Sequence, residues 1–201
     1  MYFAHLLHLA ADVTGCSTCS ALTLQPDGHI TARCTPTLSY RLTGHGLTPQ
    51  QRLWFRLFQR ENQVPLMLWQ TMRHNLAGMV YAETINGHLQ ALEEARHCRT
   101  TRVTGGLQLT WLYALATHCG RRRFALQRVR LERHALTLGI GTAGVSRRYE
   151  LPLSGTASDL DSEAQRYHRL FLRDNRAWLH AWQNGDAADR LDHVEDDGHA
   201  C

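Results

Sequence analysis

Apolar and polar positions alternate with two different periods along this chain, and the switches between them mark its elements. Tyr2 to Val13 carries Leu6, Leu7 and Leu9 at helical spacing and predicts a short helix. Ala21–Leu24, the turn Pro26-Asp27-Gly28 and His29–Cys34 predict a β-hairpin, because alternating residues flank a turn that proline and glycine both favour. Leu38, Tyr40 and Leu42 alternate as a third strand, ended by Gly44-His45-Gly46. Thr48-Pro49-Gln50-Gln51 is the clearest local signal. Thr48 can cap a helix, Pro49 suits its first position, and Gln51 can complete a capping box. The helix so predicted runs to about Asn62 and buries Leu53, Trp54, Leu57 and Phe58.

Val64–Gln70 and Leu76–Ile85 then predict strands or a buried extended pair, and Asn86-Gly87 opens a helix to about Cys98. Leu107–Cys119 predicts a buried helix stopped by Gly120. Phe124–Leu153 predicts a β-meander with Val129 and Leu131 on one face, then Leu136, Leu138 and Ile140, then Val145, Tyr149, Leu151 and Leu153. Gly139, Gly141 and Gly144 supply its bends. Ser158 caps one long helix to about Gln183, with Leu160, Ala164, Tyr167, Phe171, Trp178 and Trp182 on one stripe.

The class expected is α+β, with two small β-rich clusters (the N-terminal hairpin and the meander at 124–153) packed with about five helices. Residues 1–183 are expected to form one unit, with a division into two subdomains near 100–105 as the alternative. Residues 184–201 lack an apolar period and are expected to be a disordered acidic tail.

Composition changes the picture at one point, the charge. All 22 basic residues are arginine, and the formal net charge is only +4. Codon composition explains an absence of lysine without any function, but every cationic site is still an arginine site, suited to forked contacts with phosphate. Residues 101–148 carry nine arginines against the single acid Glu132, whereas residues 149–201 carry five against eleven acids. A basic middle of this kind suits an anionic partner. The apolar stretch Phe3–Ala11 is interrupted by His5 and His8 and preceded by no basic residue, and Leu107–Ala116 is too short to span a bilayer. The expectation is a cytoplasmic protein with no membrane partner.

Within the long helix, Arg166, Arg169, Arg173, Arg176 and His180 project opposite the aromatic stripe, on a central face without acids. The helix at 48–62 repeats this with Arg52, Arg56 and Arg60. Such rows can track a phosphate backbone and gain affinity by counterion release. Arg121-Arg122-Arg123 forms a further basic loop, and Arg128 and Arg130 are expected to share a strand face with Phe124 and Leu126, a stacking and charge surface for a single strand. The bland alternatives are a solvated helix face and an edge strand protected by charge.

Cys16-x2-Cys19 followed by His29 and Cys34 supplies zinc-type ligands, so zinc is the candidate cofactor. Alternation, however, sets His29 and Cys34 on opposite strand faces, which favours ordinary turn and core roles. Gly139-x-Gly141-x-x-Gly144 has the letters of a dinucleotide loop but is followed by a strand pattern, not a helix. Cys98, His118 and Cys119 are the candidates for a small enzyme with a His/Cys site, although sequence neighbours point apart and no catalytic set supports it. The leading expectation is therefore a nucleic-acid-binding accessory protein or complex subunit, for RNA or DNA. A protein-interaction or regulatory module whose arginines meet an acidic protein partner is the alternative.

Overall fold

The computed structural model describes residues 1, 3–15, 19–27, 29–33, 39–41, 46–63, 66–67, 69–70, 106–120, 125–142 and 145–185. The expectations at 71–105, at Arg121–Arg123 and for the tail from 186 onward lie outside these residues. Among the described residues the chain is mixed α+β. Its order is α1 (Ala4–Thr14), β1 (Ala21–Leu24), β2 (Ile30–Arg33), β3 (Ser39–Arg41), α2 (Pro49–Glu61), α3 (Thr110–Cys119), β4 (Ala125–Glu132), β5 (Ala135–Thr142), β6 (Val145–Pro152), α4 (Ser162–Asp174) and α5 (Arg176–Asn184). None of the described helices is long and apolar enough to cross a membrane.

The two expected β clusters are one sheet. Its strands run in the order β3-β2-β1-β4-β5-β6, antiparallel throughout, and β1 joins the halves by pairing Leu22 with Leu131 and Leu24 with Val129. The physical reason is burial. Across the strands the register builds two continuous apolar rows, Ala32–Leu22–Leu131–Leu136–Leu151 and Ile30–Leu24–Val129–Leu138–Tyr149. All ten are buried except the half-buried Tyr149. A hairpin standing alone would leave its apolar row open to water, and a two-stranded unit is marginal by itself.

The helices cover this face. Phe3 meets Trp178 with ring centroids 5.4 Å apart, and Trp178 stacks on Trp182 at 5.7 Å. Both Trp182 and Trp69 donate their indole N–H to β4 carbonyls, of Glu132 at 3.0 Å and Leu126 at 2.8 Å. Arg133 at the β4–β5 turn donates to the Trp182 carbonyl and lies over its ring. Residues 66–67 and 69–70 are helical, not extended as their apolar run suggested.

The long C-terminal helix is divided. Its N-cap is Asp161, which accepts from Ala164 N at 2.9 Å, rather than Ser158. It breaks at Asn175, whose buried amide accepts from Gln108 N at 2.6 Å and donates to Gln108 O at 3.0 Å. That amide also donates to Phe171 O, duplicating the backbone bond of the turn. Asparagine competes for backbone partners in this way wherever a helix passes a strand end or loop with open groups. Gly185 then closes α5 at φ +84°, where a side chain would be strained. Gly141 serves closeness instead: a Cβ there would lie 2.5 Å from the Val145 carbonyl.

Candidate nucleic-acid interface

Helix α2 begins as its sequence dictates. Thr48 Oγ1 accepts from Gln51 N at 3.3 Å and Gln51 Oε1 accepts from Thr48 N at 3.0 Å, with Pro49 in the first helical turn. Its inner side is fastened to α1. Trp54 stacks against His5 and His8, Glu61 pairs with His5 Nδ1 at 2.7 Å, and Gln51 Nε2 donates to Asp12 at 2.9 Å. Phe58 and Asn62 are buried on this side. At 100° per residue, the rotation so fixed aims Arg52, Arg56 and Arg60 away from Phe58. All three are exposed, and among the described residues none of them makes an ion pair. Leu53, expected inside, is 46% exposed beside them, because Phe58 and Asn62 rather than Leu53 mark the inner face.

The row on α4 and α5 is less free than its spacing suggested. Arg166 lies 3.7 Å from Glu163, and Arg173 Nε donates to Asp174 at 2.7 Å, so acids do reach this face. The second Asp174 oxygen accepts from Trp111 Nε1 at 2.6 Å. Arg169 and Arg176 are exposed and, among the described residues, make no ion pair, and His180, also exposed, contacts Asn184 at 3.3 Å.

On β4 the expected face is corrected by a β-bulge between Leu126 and Arg128. The extra residue, Gln127, donates its amide to the Gly141 carbonyl at 2.8 Å. It reverses the alternation, so Leu126 turns into the core with Val129 and Leu131 while Arg128 and Arg130 stay on the opposite face. Phe124 lies outside the described residues. Arg130 is engaged by Glu132 through Nε at 3.0 Å and Nη2 at 2.6 Å, and Arg33 Nη2 reaches the same carboxylate oxygen at 3.3 Å. Arg128 is exposed and, among the described residues, makes no ion pair. It stands in register with Gly139 and, across it, with exposed Arg148. Arg148 was not singled out from the sequence, since its place opposite Arg128 depends on the pairing of Gly139 with Arg148 across β5 and β6.

The thiol and imidazole candidates are placed apart. Cys16 and Cys34 lie outside the described residues. Cys19 is buried with Sγ toward the carbonyls of Ala21 and Arg33, and His29 Nδ1 pairs with Asp27 at 2.8 Å. Among the described residues no group of three or more potential ligands could hold a metal. The α4 N-cap bond from Ala164 N–H, together with His118 Nε2 at 2.9 Å, holds the Asp161 carboxyl below its ordinary range. The half-buried Cys119 thiol is pushed up by burial and by the Asp161 charge, against a hydrogen bond with Tyr149. A thiol held protonated is a poor nucleophile. Cys98 and Gly144 lie outside the described residues, and Gly139 and Gly141 lie in β5, which is followed by strand β6 and not by a helix.

Comparison with protein-family models, curated proteins and solved structures finds no match.

Proposed function

We propose that this chain is a nucleic-acid-binding accessory protein or complex subunit of the cytoplasm, and that the α2 row of Arg52, Arg56 and Arg60 is its principal contact with phosphate. The observation that carries the reading is that three exposed arginines stand at successive i,i+4 positions with no acid among the described residues paired to them. Like charges at that spacing destabilise a helix by about 0.2–0.5 kcal/mol per pair. Arg52 also faces the positive end of the helix dipole, in a first turn that contains no acid. The arrangement is unfavourable for the isolated fold and favourable once an anion lies across it. Arg128 and Arg148, with Arg169 and Arg176, supply further cations.

The test is a salt titration of binding to mixed-sequence single-stranded RNA and duplex DNA. Arg52→Gln, Arg56→Gln and Arg60→Gln together should weaken binding across sequences and reduce the salt slope by about three, roughly one per lost phosphate contact. Undiminished affinity and slope in a folded triple variant would refute the assignment. A second reading, an acidic protein partner, draws support from exposed Leu53 within the row, since an apolar side chain adds nothing to a phosphate contact but suits the core of a protein interface. On that reading the wild-type chain ignores both polymers at low salt.

A further inference from the structure

Strand β6 ends the sheet, and its free edge can be read bond by bond. Leu153 N–H donates to the His134 carbonyl at 3.0 Å, which makes 153 and 134 a hydrogen-bonded pair of the β5–β6 ladder. Hydrogen-bonded and non-bonded pairs alternate in an antiparallel ladder. The register therefore gives Val145, Arg147, Tyr149 and Leu151 to β5, and turns the backbone groups of Ser146, Arg148, Glu150 and Pro152 outward. Pro152 fits this assignment because an outward position needs no N–H. Its carbonyl receives the Nε2–H of His168 at 2.9 Å, so that end of the edge is closed. Ser146, Arg148 and Glu150 remain, all exposed. Among the described residues no strand pairs with them.

We propose that this edge pairs with the same edge of a second copy, antiparallel about a two-fold axis, extending the sheet across a homodimer. Bonding between outward positions permits three central registers: one centred on Arg147, which sets Arg148 only against the partner's Ser146 and so pairs no opposite charges, and two others. Of those two, one sets Arg148 opposite its own copy. The other centres on Tyr149 and sets Arg148 opposite the partner's Glu150, and Glu150 opposite the partner's Arg148. Charge selects the Tyr149-centred register, since opposite charges facing across strands attract and like charges repel. The two-fold repeats the favourable pair, as a self-complementary interface requires. Within one chain Arg148 and Glu150 are 4.0 Å apart, on one face of one strand, and are thus poised to meet the reciprocal pair. Dimerisation would place two α2 rows on one particle, which goes beyond the phosphate-binding reading and stands without it.

Sedimentation equilibrium of the full chain, at concentrations up to the order of 100 μM, should show a reversible monomer–dimer equilibrium that added salt weakens. Glu150→Arg alone and Arg148→Glu alone should each weaken the dimer by about tenfold, and the double swap Arg148→Glu/Glu150→Arg should restore it to within about threefold. Circular dichroism melting would establish that each variant folds. A wild-type chain that stays monomeric would overturn the proposal, as would single reversals without effect or a swap that fails to restore the dimer. A dimer strengthened by Arg148→Ser would reveal the Arg148-centred register and overturn it too. So would a monomer whose edge takes up an extended oligoglutamate peptide instead.

Discussion

His168 shows how a single side chain on a helix meets the sheet. It is 1% exposed, its Nε2–H is committed to the Pro152 carbonyl, and Nδ1 has no hydrogen-bond partner among the described residues. Protonating Nδ1 would place a second N–H where nothing accepts it. Burial, with the Arg169 charge, holds this imidazole below its ordinary 6.5, against the bond to Pro152 that favours the charged form. The sign follows from proton counting. Between the folded and unfolded values the unfolded chain binds more protons, so the contribution is full above about 6.5 and is lost as pH falls from there toward the folded value. His168→Gln keeps an N–H for Pro152 and cannot titrate. Urea unfolding of both proteins from pH 8 to pH 5 should give a difference that grows on acidification, by no more than about 1.4 kcal/mol per pH unit for one group. Parallel curves would remove His168 as the cause. Asp161 acts in a separate window, because its carboxyl is held below its ordinary 3.8 and its contribution fades only in stronger acid. The sequence marked neither role: His168 lies beside Tyr167, whose aromatic ring made the more obvious core residue.

At the scale of elements, legibility followed locality. The start of α2 was readable because every group in its capping box lies within four residues. Its inward rotation was not, since Leu53 and Phe58 are equally apolar and only the contacts of Trp54, Gln51 and Glu61 with α1 choose between them. The break at Asn175 depends on Gln108, 67 positions away, and the bulge at Gln127 on a carbonyl of β5. Periodicity alone carries neither. The arginine row of α2 was legible as a row, and its freedom from acids among the described residues became visible only with the fold. That freedom yields a test in which stability and binding move oppositely. Arg52→Glu places an acid in the first turn and an i,i+4 partner before Arg56, which should stabilise the chain by about 0.5–1.5 kcal/mol. The same change should weaken nucleic-acid binding and lower its salt slope. Thermal melting paired with a binding isotherm checks both, and a variant that melts lower would show that Arg52 serves the fold.

For the whole molecule the governing quantity is the uneven distribution of charge. A formal +4 is the residue of a basic middle and an acidic end, and residues 186–201 alone carry six acids against Arg190. The elements of the described fold close at Gly185, and every core residue so far placed precedes it. Truncation after Gly185 therefore removes five net negative charges and none of the described core. Melting should stay within about 0.5 kcal/mol of the full chain, the range of changes that touch no packed group. If α2 binds phosphate, the acids at 186–201 oppose the same polymer, both as net charge and as competitors for guanidinium. The truncated chain should then bind several-fold tighter at low salt, with the two chains converging as salt shortens the reach of those charges to a few ångströms. Isotherms at two salt concentrations decide the matter. Tighter binding that persists unchanged at high salt would mean a direct block of the site rather than long-range charge. Equal affinity at low salt would mean that the basic rows and the acidic end act on separate surfaces.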